Sequence, residues 1–123
     1  MILGLGIDIV ENRRIENSCK RFGNRFIARI LNDAELNSAR KISVSYLASR
    51  FAAKEAAVKA LGTGFSNGIS FKDITIVSGE TGKPEIKFCA AAHNAFIFLG
   101  ANAAFVSISH GRDNSVATVI LEG

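Results

Sequence analysis

The feature that most constrains this chain is an alanine-rich helix with an acidic side chain on its inner face. The sequence RFAAKEAAVKALGTG runs from Arg50 to Gly64. At about 100° per residue, Glu55 falls beside Phe51 on the apolar arc, whereas Arg50 and Lys54 fall on the other edge. A carboxylate on a buried helix face is costly unless a positive group meets it. The simplest partner for Glu55 is Lys59, one turn later at i and i+4.

A second carboxylate lies on an alternating strand at the start of the chain. Residues 1–10 alternate between an apolar face and a face with Gly4, Gly6 and Asp8. The glycines leave room for another backbone or a ligand. If the long helix packs on this strand, Asp8 and Glu55 can converge, and two carboxylates suit Mg²⁺ with substrate phosphates. The alternative is that Asp8 is a turn residue and Glu55 pairs with Lys59. The apolar face carries Leu3, Leu5, Ile7 and Ile9.

The end of the long helix offers another candidate site. Lys54 and Lys59 precede the turn Gly62-Thr63-Gly64, whose N–H groups and ammonium neighbours could hold a phosphate. The turn is not a P-loop, because its glycines follow the helix instead of preceding it. A C-terminal helix cap with lysines that favour the helix dipole is the more usual role of such a turn.

The order of the predicted elements indicates the α+β class. Hairpin signals at 79–82 and 110–114 join the last two pairs of strands, and a capping-box sequence begins at Asn32. This order predicts a mostly antiparallel sheet packed against one long central helix and shorter helices, in a single domain over residues 1–123. Strands are predicted at 1–10, 74–78, 83–88, 103–109 and 115–121, and helices at 13–21, 25–31, 46–61 and 89–99, with a short helix after Asn32.

The positive charge of the chain is concentrated in one segment. The net charge is +4, but residues 13–29 contain six basic side chains and one acidic one, so this segment carries +5 and the rest −1. Such a segment attracts an acidic partner, which can be a nucleic acid, a membrane or a protein. Phe22 and Phe26 lie within it at helical spacing, which is more typical of a core than of a platform for base stacking.

The remaining composition excludes several classes of protein. Cys19 and Cys89 are far apart and match no CxxC spacing, which argues against a zinc site or a disulfide framework. The apolar start has no basic leader and is interrupted by Asp8, so it does not resemble a signal peptide. No segment approaches the roughly 18 apolar residues of a membrane span. We therefore expect a reduced, cytoplasmic protein.

Five segments together resemble the holo-[acyl-carrier-protein] synthases, the small 4′-phosphopantetheinyl transferases. Two of their motifs are specific, GLGIDIV at the start and RFAAKEA in the long helix. The segments follow the order of the family and cover nearly the whole chain. They are GLGIDIVENRRIE, RFGNRFIARIL, RFAAKEAAVKALGTGF, SGETGKPEIKF and VSISHGRDNSVATVILE.

The resemblance implies a reaction and its catalytic residues. Members transfer 4′-phosphopantetheine from coenzyme A to a serine of apo acyl carrier protein, for fatty acid biosynthesis, and release adenosine 3′,5′-bisphosphate. The resemblance implies that Asp8 and Glu55 bind Mg²⁺ with the pyrophosphate of coenzyme A, and that Lys59 lies beside the same phosphates. A metal and a lysine can stabilise the charge that grows on the leaving phosphate. The base that takes the serine proton is Glu55 or a metal-bound water.

The resemblance also implies a nucleotide site, a docking surface and an oligomer. Arg50, Gly62, Pro84 and His110 match positions that line the nucleotide site in the family. The first basic helix, which contains Arg14 and Arg21, docks the acidic recognition helix of the carrier protein, so the acidic partner is a protein and not a nucleic acid. The family typically forms a homotrimer with active sites between subunits.

Two alternatives to this function are testable. A basic nucleic-acid-binding domain predicts salt-dependent binding that survives loss of Asp8. A non-catalytic homologue predicts that carrier proteins bind without turnover.

Overall fold

The computed structural model describes residues 1–123 and confirms the α+β class. None of its helices combines the length and apolar character that crossing a membrane requires. The predicted strands and helices are all present, with ends that differ by one or two residues in most cases. The elements are β1 (Ile2–Glu11), α1 (Asn12–Phe22), α2 (Asn24–Ile30), α3 (Asp33–Ser38), α4 (Val44–Leu61), a 3₁₀ turn (Phe71–Asp73), β2 (Ile74–Ser78), β3 (Pro84–Phe88), α5 (Ala90–Phe98), β4 (Ala103–His110) and β5 (Asn114–Glu122).

All strand pairs are antiparallel, but they are divided between two sheets. One sheet has three strands in the order β1-β5-β4, and the other consists of β2 and β3 alone. Pro84 is the first residue of β3, where its missing N–H costs the ladder little. The antiparallel hairpins are therefore confirmed, whereas the division into two sheets had no signal in the local sequence.

Helix α4 is the central element of the fold. The Ser43 side chain accepts a hydrogen bond from the N–H of Tyr46 at 3.0 Å, so the helix begins two residues before the predicted start. It ends as predicted at Gly62, whose φ of 78° is left-handed. Small side chains on several sides of the helix let its neighbours approach closely. The buried alanines are Ala48, Ala52, Ala53, Ala56, Ala57 and Ala60.

Gly4 and Gly6 allow β1 to lie directly against α4. A Cβ atom at Gly4 would stand 2.1 Å from the carbonyl oxygen of Ala60, and one at Gly6 would stand 1.9 Å from that of Ala56. No side chain fits at either position, so the prediction that the glycines admit another backbone is confirmed. Asp8 is the next residue on this face of β1, and the close contact therefore brings its carboxylate to α4.

The opposite face of the three-stranded sheet is apolar and open. Leu5, Ile7 and Ile9 are 65%, 61% and 65% exposed. Leu5 pairs across the sheet with Ile120, which in turn pairs with the half-exposed Phe105. The apolar alternation of β1 thus forms a row of side chains in contact with solvent, while the glycine face packs on α4. Contiguous apolar surface of this kind marks a site of interaction.

Lys54 is fully buried, so the interpretation that it could hold a phosphate at the end of the helix is wrong. Its Nζ donates to Glu35 Oε1 and to the carbonyl oxygen of Ile30, both at 2.6 Å. Glu35 also accepts from the N–H groups of Ile76 and Asn32, each at 3.1 Å, and the latter completes the predicted capping box. The side of α4 that faces away from β1 is covered by α2, α3 and β2, so Lys54 is not available to a phosphate.

Candidate active site

Asp8 and Lys59 form the polar contact between β1 and α4. The carboxylate of Asp8 accepts a hydrogen bond from Lys59 Nζ at 3.0 Å, and the same Nζ donates to the carbonyl oxygen of Ile7 at 3.0 Å. The Asp8 side chain is 16% exposed and that of Lys59 is 53% exposed. Glu55 takes part in none of the ion pairs of the structure. The simple pair of Glu55 with Lys59 along α4 is therefore wrong, because Lys59 turns to Asp8.

The electrostatics of Glu55 favour a cation beside it. Burial, followed by the nearby carboxylate of Asp8, raises the pKa of Glu55, while Lys59 and Arg14 act in the opposite direction. A cation between the two carboxylates would relieve their repulsion. The donors are oxygens, and no third acidic, histidine or cysteine side chain joins them. This incomplete set fits Mg²⁺, which commonly keeps waters and takes further oxygens from substrate phosphates.

A cavity of about 540 Å³ brings together three of the residues predicted for the nucleotide site: Arg50, Pro84 and His110. The Arg50 guanidinium stacks 4.1 Å from the centre of the Tyr46 ring, and its Nε is buried without a hydrogen-bond partner. Nδ1 of His110 lies 3.2 Å from Oγ of Ser45. An unpartnered buried donor beside a polar cavity favours a ligand that carries acceptor groups.

The acidic pair, Asp8 and Glu55, and the cavity of Arg50 lie on different sides of α4. Neither Glu55 nor Asp8 lines the cavity of Arg50. Arg50 and Glu55 are five residues apart, which corresponds to about 140° around an α-helix. The structure therefore brings the predicted residues together in two groups and does not join these groups within one chain.

Gly62 belongs to neither group. It lies about 18 Å from Arg50 along the helix axis, at 1.5 Å per residue. Its N–H donates to the carbonyl oxygen of Lys59, and the N–H groups of Thr63 and Gly64 both donate to the carbonyl oxygen of Val58. The turn is therefore a helix cap whose backbone donors are already used. A Cβ atom at Gly62 would meet nothing within 4 Å. The space beside Gly62 is open, but its N–H group is not free to bind a phosphate.

Arg14 and Arg21 lie on α1 and line one groove of about 460 Å³. Both are exposed, but their surroundings differ. Arg21 lies over the ring of Phe22 at 5.1 Å, whereas Arg14 lies 5.8 Å from the centre of the Phe51 ring and partly opposes the rise in the pKa of Glu55. Arg14 thus stands between the groove and the acidic pair. A smaller groove of about 280 Å³ is lined by Ser18, Phe22, Arg25, Phe26 and Arg29.

The sequence did not indicate Ser45 and Tyr46 as residues of the cavity that contains Arg50. Ser45 has no local signal, because its partner His110 is 65 residues away in the chain. Tyr46 did have a local signal, because it precedes Arg50 by four residues and this spacing on a helix allows a guanidinium to stack on a ring.

Comparison with known proteins identifies the family. The model of the 4′-phosphopantetheinyl transferase superfamily matches residues 4–119. The holo-[acyl-carrier-protein] synthase of Solidesulfovibrio magneticus is 50% identical over 123 residues, which is all of both chains. The crystal structure of the synthase from Neisseria meningitidis has a TM-score of 0.91 and 41% identity over all of both chains. That of the Helicobacter pylori synthase in complex with coenzyme A has a TM-score of 0.85 and 33% identity, and covers 96% of this chain and 99% of that one. The resemblance seen in the sequence is confirmed, and the chain belongs to the 4′-phosphopantetheinyl transferase superfamily as one of its holo-[acyl-carrier-protein] synthases.

Proposed function

We propose that this enzyme transfers 4′-phosphopantetheine from coenzyme A to a serine of apo acyl carrier protein, with Mg²⁺, and releases adenosine 3′,5′-bisphosphate. Family membership supports the transfer reaction. The observation that carries the metal-dependent form is the approach of Asp8 to the partly buried Glu55. Burial, followed by the carboxylate of Asp8, raises the pKa of Glu55, and no third acidic, histidine or cysteine side chain joins the two. We place the activity in one domain over residues 1–123, in the cytoplasm, in fatty acid biosynthesis.

The acidic pair has a defined place in this reaction. The serine oxygen attacks the phosphorus that carries pantetheine, and the bond from that phosphorus to the oxygen of the adenosine phosphate breaks. Mg²⁺ held by Asp8 and Glu55 would neutralise charge on the pyrophosphate. Lys59, fixed beside Asp8, adds a positive charge for the leaving phosphate. Glu55 is the candidate base within the chain, because burial and the carboxylate of Asp8 raise its pKa and so make it a better proton acceptor.

We assign the nucleotide of coenzyme A to the cavity of Arg50, Pro84 and His110. The unpartnered Nε of Arg50 can donate to a phosphate or to the base, and the ring of Tyr46 holds the guanidinium in place. Gly62 lies outside this cavity and its N–H is already bonded to the carbonyl oxygen of Lys59, so we assign it no contact with the nucleotide within one chain.

A homotrimer would join the two groups of site residues. Within one chain, Glu55 and Arg50 face different sides of α4, whereas a neighbouring subunit can bring its own Arg50 cavity to Asp8 and Glu55. The open row that contains Leu5 and Ile7 supports this arrangement, because a soluble chain rarely leaves a contiguous apolar sheet face uncovered. Closed symmetric assemblies are the usual way to cover such a face.

Ile7→Lys tests the assembly. Ile7 is exposed in the single chain, so lysine there is compatible with the folded subunit but leaves a charge in a buried interface. We expect the parent protein to elute with three times the 13.1 kDa mass of the chain, and the Ile7→Lys variant to dissociate toward monomers at micromolar concentration. Light scattering after size exclusion measures both. Ile7→Val keeps the apolar face and serves as the control. A monomeric parent protein would refute the assembly.

The reaction itself is tested by the intact mass of the carrier. Apo acyl carrier protein is incubated with the enzyme, coenzyme A and Mg²⁺, and in parallel with EDTA. A mass gain of one phosphopantetheine that EDTA abolishes supports the reaction and its metal requirement. A gain that persists in EDTA would refute the role of Mg²⁺. No gain with several carriers and a folded enzyme would favour a homologue that binds carriers without turnover.

We propose that Arg21 contacts the acidic face of the carrier. Arg21→Glu is the cleaner test of docking, because Arg14 also acts on Glu55 and its loss would disturb both functions. Replacing attraction by repulsion at an exposed contact should raise KM for the carrier about tenfold. The KM for coenzyme A should stay within twofold. Lys87→Glu, an exposed charge reversal on β3, is the matched control, and an unchanged carrier KM in Arg21→Glu would remove Arg21 from the docking surface.

A further inference from the structure

Asn12 is the first residue of α1, and its hydrogen bonds attach the start of this helix to the turn that follows His110. Its Nδ2 donates to the carbonyl oxygens of Gly111 and Arg112, at 3.1 and 3.3 Å, and its Oδ1 accepts from Ser115 Oγ at 2.7 Å. The backbone N–H of Asn12 donates to the carbonyl oxygen of Asp113 at 2.8 Å. Every polar atom of this side chain is therefore used on one short segment, 111–115.

Beyond the bonds of Asn12, the turn 111–113 has one bond of its own, from the N–H of Gly111 to the carbonyl oxygen of Asn114 at 2.8 Å. Gly111, Arg112 and Asp113 are exposed, and the contact between Arg112 and Asp113 is a long ion pair of 4.0 Å within the turn itself. The side chain of Asn12 therefore replaces the packing that an exposed turn lacks. Loss of several hydrogen bonds at one position releases such a turn, since each contributes about 1 kcal/mol.

His110 is the residue that connects this turn to the proposed nucleotide cavity. It directly precedes Gly111, lines the 540 Å³ cavity and meets Ser45 at 3.2 Å. On the other side, a cavity of about 850 Å³ is lined by Asn12 and Gly111, and Ser45 borders both cavities. Ser45 thus separates the two spaces, and His110, the last residue of β4, is paired in the sheet with Ser115, whose Oγ donates to Asn12.

We propose that Asn12 is a positioning residue for coenzyme A binding, which acts by holding the turn 111–113 so that His110 faces the nucleotide cavity. The inference rests on the proposed function in one respect, the assignment of His110 to the nucleotide site. Because Asn12 also begins α1, it connects the helix of Arg14 and Arg21 to the coenzyme A side of the molecule.

The test measures coenzyme A binding by calorimetry, together with steady-state kinetics, in Asn12→Ala. We expect the Kd and KM for coenzyme A to rise about fivefold to tenfold, with kcat and the carrier KM within twofold of the parent values. Asn12→Asp keeps the acceptor for Ser115 and a favourable start for α1, but loses both donor bonds, so it should also weaken coenzyme A binding. Asn94→Ala, an exposed asparagine of α5 without such contacts, should change nothing.

A double-mutant cycle with His110→Ala separates positioning from general loosening. If Asn12 acts through His110, the double variant binds coenzyme A no more weakly than His110→Ala alone. Additive losses, or an unchanged Kd in both Asn12 variants while His110→Ala binds weakly, would overturn the inference. An unchanged Kd in His110→Ala would also overturn the inference, and it would remove His110 from the proposed nucleotide site. The test of the transfer reaction by the mass of the carrier does not depend on this result.

Discussion

Glu55→Gln is expected to lower kcat about 10²–10³-fold without unfolding the protein. Glutamine keeps the shape of the half-buried side chain but removes one of the two carboxylate charges that we assign to the Mg²⁺ site. Loss of one preorganised group that stabilises the transition state typically has this effect on kcat. The measurement is the steady-state rate of carrier modification at saturating Mg²⁺ and coenzyme A, with the melting temperature as the check of folding.

The sign of the stability change gives an independent check on Glu55→Gln. The pKa of Glu55 is raised in the folded state, so its ionised form is disfavoured by folding at pH values above its ordinary pKa, and this cost is relieved as the pH falls. Removing the charge should therefore not lower the melting temperature at neutral pH without metal. Near-normal kcat in Glu55→Gln would refute the metal assignment.

Asp8→Asn is the second test of the metal site, and Glu122→Gln is the control for both variants. Asp8→Asn should reduce kcat similarly, and it also removes the ion pair with Lys59. Glu122→Gln, at the exposed end of β5, is the matched control and should retain the parent rate. A normal rate in Asp8→Asn together with a low one in Glu55→Gln would leave Glu55 as a base and contradict a shared metal.

The approach of Asp8 to Glu55 was predictable because both residues lie on strong local patterns. Alternation in β1 places Gly4, Gly6 and Asp8 on one face, and the helical period of α4 gives the direction of Glu55. The glycines then predict a close backbone contact, and the structure has it at Ala56 and Ala60. The motifs identified the family for the same reason, since they are short, contiguous and in order.

Contacts between distant segments were not predictable in this way. A helical projection gives the angle between side chains, but not which sides of the helix other elements cover. It placed Lys54 on the other edge of the apolar arc, but nothing local shows that α2, α3 and β2 bury that side completely. Its partner Glu35 is 19 residues away, and the contact of Ser45 with His110 spans 65 residues. The position of each partner depends on the packing of the whole chain.

The buried pair of Lys54 and Glu35 fixes the side of α4 opposite the three-stranded sheet. Both side chains have no exposed surface, and burial lowers the pKa of Lys54 while Glu35 opposes this change. Glu35 also accepts from the backbone of Ile76 in β2, and Lys54 donates to Ile30 at the end of α2. One ion pair therefore joins four elements, α2, α3, β2 and α4 itself, which carries Arg50 and Glu55.

Lys54→Met is expected to lower the free energy of unfolding by about 3–5 kcal/mol, because it leaves the Glu35 carboxylate buried without its cation. Urea denaturation measures the loss. The double variant Lys54→Met/Glu35→Gln keeps an acceptor for Ile76 but removes the unpaired charge, so it should recover at least half of that loss. Lys59→Met, the same change at a half-exposed site of α4, should cost less than about 1 kcal/mol. A Lys54→Met variant within 1 kcal/mol of the parent, or a double variant less stable than the single one, would show that the charge of Lys54 does not hold these four elements together.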